Sequence, residues 1–86
     1  MYYTYIIQND KGTCYTGSTG DLRKRLREHN QGRSTWTKGQ GVWKIIYYEA
    51  CLVEQDARSR EIYLKSGMGK RYLKSRLKRF LLPATA

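Results

Sequence analysis

A chain of 86 residues, 40% of them hydrophobic and 28% charged, has room for one compact domain with one modest core, and its apolar content excludes disorder throughout. Seventeen Lys and Arg against seven Asp and Glu leave a formal charge of +10, a field that repels further copies of the chain and attracts polyanions. Nucleic acid is therefore the first partner to consider, ahead of an acidic protein. Cys14 and Cys51 lack the spacing of a disulfide scaffold or a zinc site and read as small hydrophobic residues in a reducing cytoplasm, with nucleoid association following from the charge. No apolar run approaches the roughly 20 residues that cross a bilayer, and Met1-Tyr2-Tyr3 lacks the start of an export signal, so no membrane is expected among the partners.

Along the chain, Tyr2 to Gln8 reads as a strand with Tyr3, Tyr5 and Ile7 on one face and Tyr2, Thr4 and Ile6 on the other. Asn9 to Gly12 supplies the turn, and Thr13 to Thr16 the returning strand, ended by Gly17. That pairing sets Tyr5 across from, or diagonal to, Tyr15. Ser18, Thr19 and Asp21 are candidate caps for a helix reaching about Asn30, in which Leu22 and Leu26 supply the apolar stripe with Arg25 and His29 at its edge. Arg23, Lys24 and Arg27 form its basic outer surface.

Gln31 to Gly41 reads as a mobile loop carrying Arg33, Trp36 and Lys38; Trp36 either stacks on an exposed base or fastens the loop to the core. Val42 to Glu49 is a third strand, and a second helix runs from about Val53 to Lys65 with Ala57, Glu61 and Leu64 on one face. Ser66-Gly67-Met68-Gly69 is expected to break the pattern before a third helix from about Lys70 to Leu81, striped by Leu73, Leu77, Phe80 and Leu81. Its basic residues, with Lys65 before them, include Lys70, Arg71 and Lys74. The expected fold is α+β: a small three-stranded antiparallel or mixed sheet covered by helices, in the order β-β-α-β-α-α, forming a single domain over 1–82 with a flexible tail at 83–86.

Glu61 carries the sharpest chemical signal of the second half. Its phase with Ala57 and Leu64 turns a carboxylate inward or toward a cleft, where it needs a cation, a metal or hydrogen bonds. Arg58 and Lys65 offer a plain ion pair. A phosphodiester nuclease needs an activated water, positive charge at the attacked phosphate and help for the leaving oxygen. Tyr5 and Tyr15 can donate to phosphate or accept a proton, Arg25 can stabilise the transition state, His29 can position or protonate a group, and Glu61 can hold one divalent ion. Each also has a simpler explanation: sheet tyrosines pack, a histidine closes a helix end, and Arg25 is one of many basic residues.

Tyr3-Thr4-Tyr5, followed by Tyr15-Thr16-Gly17, Ser18-Thr19-Gly20-Asp21-Leu22 and Arg25-Leu26-Arg27-Glu28-His29-Asn30, resembles the GIY-YIG nuclease superfamily. Tyr47-Tyr48-Glu49, Ala57, Arg60-Glu61 and Leu64-Lys65-Ser66-Gly67 are similar to its small standalone bacterial members, which in turn are similar to the amino-terminal nuclease domain of excision-repair endonucleases. The resemblance spans about Tyr2 to Leu77. It implies a GIY-YIG-like fold and hydrolysis of DNA phosphodiester bonds in repair or processing, with Tyr5, Tyr15, Arg25, His29 and Glu61 catalytic. Glu61 would bind one Mg²⁺ or Mn²⁺. Two residues depart from the pattern: Tyr3 stands where glycine is common, and Leu73 lies near the place of an asparagine that several nucleases carry. A noncatalytic nucleic-acid-binding module, with DNA or RNA as its partner, and a basic adaptor for an acidic protein are the competing functions. Since Lys and Arg on phosphates do not read bases, sequence specificity calls for another surface or a targeting protein.

Overall fold

The computed structural model describes residues 1–81 and places three strands and four helices in the order β1 Tyr2–Asn9, β2 Cys14–Thr19, α1 Leu22–Asn30, β3 Trp43–Cys51, α2 Glu54–Lys65, α3 Gly67–Arg76 and α4 Lys78–Leu81. The sheet is antiparallel throughout, with β1 in the centre and β2 and β3 at its edges. The central position of β1 matches its composition. Thr4, Tyr5, Ile6 and Ile7 are all buried, which a strand covered on both faces requires.

Alternation along β1 sorts the two layers. Tyr5 and Ile7 pack with Trp43 into the core, joined by Leu22 and Leu26 of α1 and by Tyr15 and Ile45. Each such large side chain taken fully out of water contributes about 1.5–3 kcal/mol. On the other face Thr4 Oγ1 donates to the Ala57 carbonyl of α2 at 2.7 Å, and Leu64 is 1% exposed. Asp21 caps α1 by accepting from the Lys24 amide. Asn30 then ties that helix to β3, accepting from the Trp43 amide at 2.7 Å and donating to its carbonyl at 3.0 Å.

Between β1 and β3 the pairing is irregular: Ile6 faces Tyr47 while Ile7 faces Ile45, so Ile46 is the extra residue of a bulge. Beyond it, both Glu49 carboxylate oxygens share the single N–H of Arg60 Nε while Oε2 also accepts from Nη2, and the guanidinium lies 4.9 Å from the Tyr63 ring centroid and 4.8 Å from that of Tyr72. This cluster fastens α2 and α3 to the sheet.

Four expectations change. Gly17 lies inside β2, which runs to Thr19, instead of ending it. The third helix starts at Gly67, not Lys70, because Ser66 caps it by accepting from the Gly69 amide, and it breaks at Leu77. Phe80 and Leu81, assigned to the apolar stripe, are 50% and 40% exposed; Lys44 covers Phe80 instead. The loop after α1 is pinned by buried Ser34 and Thr37. The expected tail at 83–86 lies outside the described residues. Among the described residues no helix is long and apolar enough to cross a membrane.

Candidate functional site

The residues with chemistry to offer meet along the free edge of β2, which both helical layers approach. Tyr5 pairs with Gly17 and Tyr15 with Ile7, so the two tyrosines stand diagonally on the α1 face with ring centroids 6.5 Å apart. Gly17 permits the approach: a Cβ there would sit 2.5 Å from the Tyr5 hydroxyl and 3.1 Å from the Tyr15 ring. His29 reaches both rings edge-on, at 5.8 Å from Tyr5 and 5.0 Å from Tyr15.

His29 lies deeper than the helix edge expected for it, 2% exposed with both ring nitrogens engaged. Nε2 shares a 2.7 Å hydrogen bond with Tyr5 Oη, and Nδ1 another of 2.7 Å with Thr37 Oγ1. A neutral imidazole donates through one nitrogen and accepts through the other, so this buried chain is satisfied in either direction. Burial, aided by the charge of Arg25, holds the imidazole below the ordinary histidine range. Burial also pushes the Tyr5 hydroxyl up to about 12. Near neutral pH the pair is thus a neutral imidazole and a protonated phenol, so Tyr5 does not stand ready as a base. Tyr15 is only half-buried and is the tyrosine that a phosphate can reach from solvent.

Glu61 arrives from the opposite face. Ser18 follows Gly17 on β2 and therefore points toward α2, where its hydroxyl donates to Glu61 Oε1 at 2.7 Å. Lys65 Nζ donates to Glu61 Oε2 at 2.7 Å and lies 6.0 Å from the Tyr15 ring centroid, linking the two walls. The carboxylate is half-buried, with its side chain 21% exposed. Arg58 does not take part, since it lies 3.9 Å from Glu54 instead. Arg25, near Tyr5, is half-buried and donates to Glu28 at 3.0 Å.

A hard divalent cation takes oxygen ligands, and one or two carboxylates plus substrate phosphate suffice for Mg²⁺. Glu61 fits that role as a lone carboxylate with lone pairs to spare, but a cation would compete with Lys65 for it. No group of three or more His, Cys, Asp and Glu gathers among the described residues.

The remaining candidates lie on the surface. Arg23, Lys24, Arg27, Arg33 and Lys38 are exposed on α1 and its following loop, and Lys65, Lys70, Arg71 and Lys74 on α2 and α3. Trp36 is 75% exposed and fastens nothing to the core; Trp43, 2% exposed, does that work and donates from Nε1 to the Thr37 carbonyl at 3.1 Å. Leu73 is partly buried on α3. Sequence reasoning missed Thr37 and the role of Ser18. Strand alternation from Thr4 would have placed Ser18 toward α2, whereas no spacing rule singles out a threonine in an irregular loop.

The fold is shared with known proteins. A UPF0213 protein of Clostridium perfringens is 39% identical over 66 residues, covering 76% of this chain and 71% of its own. One from Haloquadratum walsbyi is 35% identical over 76% of this chain and 74% of its own. The solution NMR structure of a UPF0213 protein from Bacillus halodurans superposes with a TM-score of 0.52 at 30% identity, covering 87% of this chain and 84% of that one. The family model described as the GIY-YIG catalytic domain matches residues 1–80, and the chain belongs to that family.

Proposed function

We propose that this domain binds nucleic acid, DNA first, by gripping its phosphate backbone across the β2 edge. The observation that carries this is the Lys65–Glu61–Ser18 arrangement: the carboxylate in the cleft is already held by a cation and a hydroxyl, in a chain of net charge +10 whose basic residues flank the cleft from both layers. Lys65, Tyr15 and Arg25 then present donors and charge to phosphate, and affinity comes from released counterions.

A second reading, metal-dependent hydrolysis of DNA phosphodiester bonds in repair or processing, is favoured by the buried Tyr5–His29–Thr37 chain. Gripping phosphate alone does not call for a protonated phenol and a neutral imidazole sealed beside the cleft. In that reading Glu61 would hold Mg²⁺ or Mn²⁺, which when bound supplies charge to the scissile phosphate. Arg25 would steady the developing negative charge, and Tyr15 would orient the phosphate by a hydrogen bond.

One experiment separates the two. Wild type and Glu61→Gln are compared on supercoiled, linear, nicked and branched DNA with Mg²⁺, Mn²⁺ or chelator, with binding measured in parallel and RNA of equal length alongside. Backbone binding predicts that affinity falls about a hundredfold between 50 and 200 mM salt for four phosphate contacts, with no metal-dependent cutting by either protein. Cutting by wild type that Glu61→Gln loses, with fold and binding retained, establishes the nuclease. Absence of salt-sensitive binding to any nucleic acid removes both.

A further inference from the structure

We propose that the groove beside Tyr15 holds one unpaired nucleobase, stacked on Trp36, so that the domain selects DNA carrying an unpaired nucleotide. This rests on the nucleic-acid reading above and names its substrate class.

Three independent observations point to such an occupant. A groove of about 470 Å³ opens between Trp36, Gln40 and Trp43 on one side and Cys14, Tyr15 and Lys65 on the other, within the ~300–1,000 Å³ of small-ligand pockets. Trp36 is 75% exposed although the loop around it is held firmly. Ser34 and Thr37 are buried, the Thr37 and Lys38 amides donate to the Ser34 carbonyl at 3.2 and 3.0 Å, and Gln40 Nε2 donates to the Trp36 carbonyl at 2.8 Å. The backbone is thus fixed on both sides of an indole that is left open. Finally, no carboxylate is among the residues lining the groove, while Lys65, which pairs with Glu61 at 2.7 Å behind it, brings its ammonium to 6.0 Å from the Tyr15 ring centroid.

An aromatic face with a cation beside it suits a base and its phosphate. Bases in a duplex have both faces covered by stacking, so only a nucleotide out of the stack can use the platform. Charge argues against a protein segment, because the lining offers no acid to pair with a basic partner and a chain of +10 attracts polyanions. The adjacent Thr37 bonds His29, which sets the platform at a fixed position relative to the cleft.

The test uses labelled DNA of one length, in chelator, as a full duplex, the same duplex with one central unpaired nucleotide, and a single strand. Wild type should bind the unpaired forms about tenfold or more tighter than duplex, with quenching of indole emission. Trp36→Ala should lose about 5- to 150-fold on the unpaired forms alone, and Trp36→Phe should recover part of it. The inference is overturned if Trp36→Ala weakens all forms equally or none, or if wild type binds the three equally while still binding DNA. Failure of wild type to bind any of them would remove the nucleic-acid reading and this inference together. Melting curves of both variants confirm that they fold.

Discussion

The two walls of the cleft are built on different terms. On the α1 side, Tyr5, His29 and Thr37 are at most 2% exposed and hydrogen-bonded to one another inside the core. On the α2 side, Glu61 and Lys65 form a partly exposed pair one helical turn apart. A change on the first wall therefore disturbs folding and chemistry together, whereas one on the second reports function almost alone.

The largest expected effect tests the first wall. Tyr5→Ala should cost about 3–5 kcal/mol in urea unfolding, as truncation of a buried aromatic does, and a loss below about 1 would show that the wall is not part of the core. Alkaline unfolding probes the same residue. An unfolded Tyr5 ionises near 10 and the folded one near 12, so the stability of its protonated form is complete below pH 10 and declines as pH rises toward 12. Wild type should lose on the order of 2 kcal/mol more than Tyr5→Phe across that window. His29 acts in the opposite direction: its folded value is depressed, so its contribution is complete above about pH 6.5 and is lost on acidification, which NMR titration of the single histidine would follow.

Gly17→Ala should cost about 1–3 kcal/mol by forcing the Tyr5 ring from its place, and an unchanged melting temperature would mean that the close approach is unimportant. The smallest effect belongs to the second wall. Lys65→Ala should change stability by no more than about 1 kcal/mol while measurably weakening DNA binding and flattening its salt dependence, and a large destabilisation would erase the contrast between the walls.

Much of this was legible in the residues. The β-branched and aromatic run at Tyr2, the turn before Gly12, the candidate caps Ser18, Thr19 and Asp21, of which Asp21 is the one used, and the Ala57–Leu64 phase located the sheet, α1 and α2 closely, and the hairpin put Tyr5 beside Tyr15. The start of α3 was hidden because Gly67 and Gly69 imitate a break. In the fold Gly69 is required by crowding, since a Cβ there would collide with the Tyr63 carbonyl. The Lys65–Glu61 pair was foreseeable from its four-residue spacing, but Thr37 and the depth of His29 depend on how a loop closes over a helix end, which local pattern does not encode.

The bulge at Ile46 has a consequence for how this strand tolerates change in length. Residues at odd positions before it, Trp43 and Ile45, face the α1 core, while those after it, Tyr47 and Glu49, face α2, so the additional residue reverses the parity of β3 midway. Deleting Ile46 would restore strict alternation and keep Trp43 and Glu49 on the opposite layers they already occupy, because an odd number of positions would then separate them. Adding a residue to the regular part of β3 would instead exchange a greasy interior for an ion pair, so the strand tolerates the loss of one residue at the bulge better than a gain.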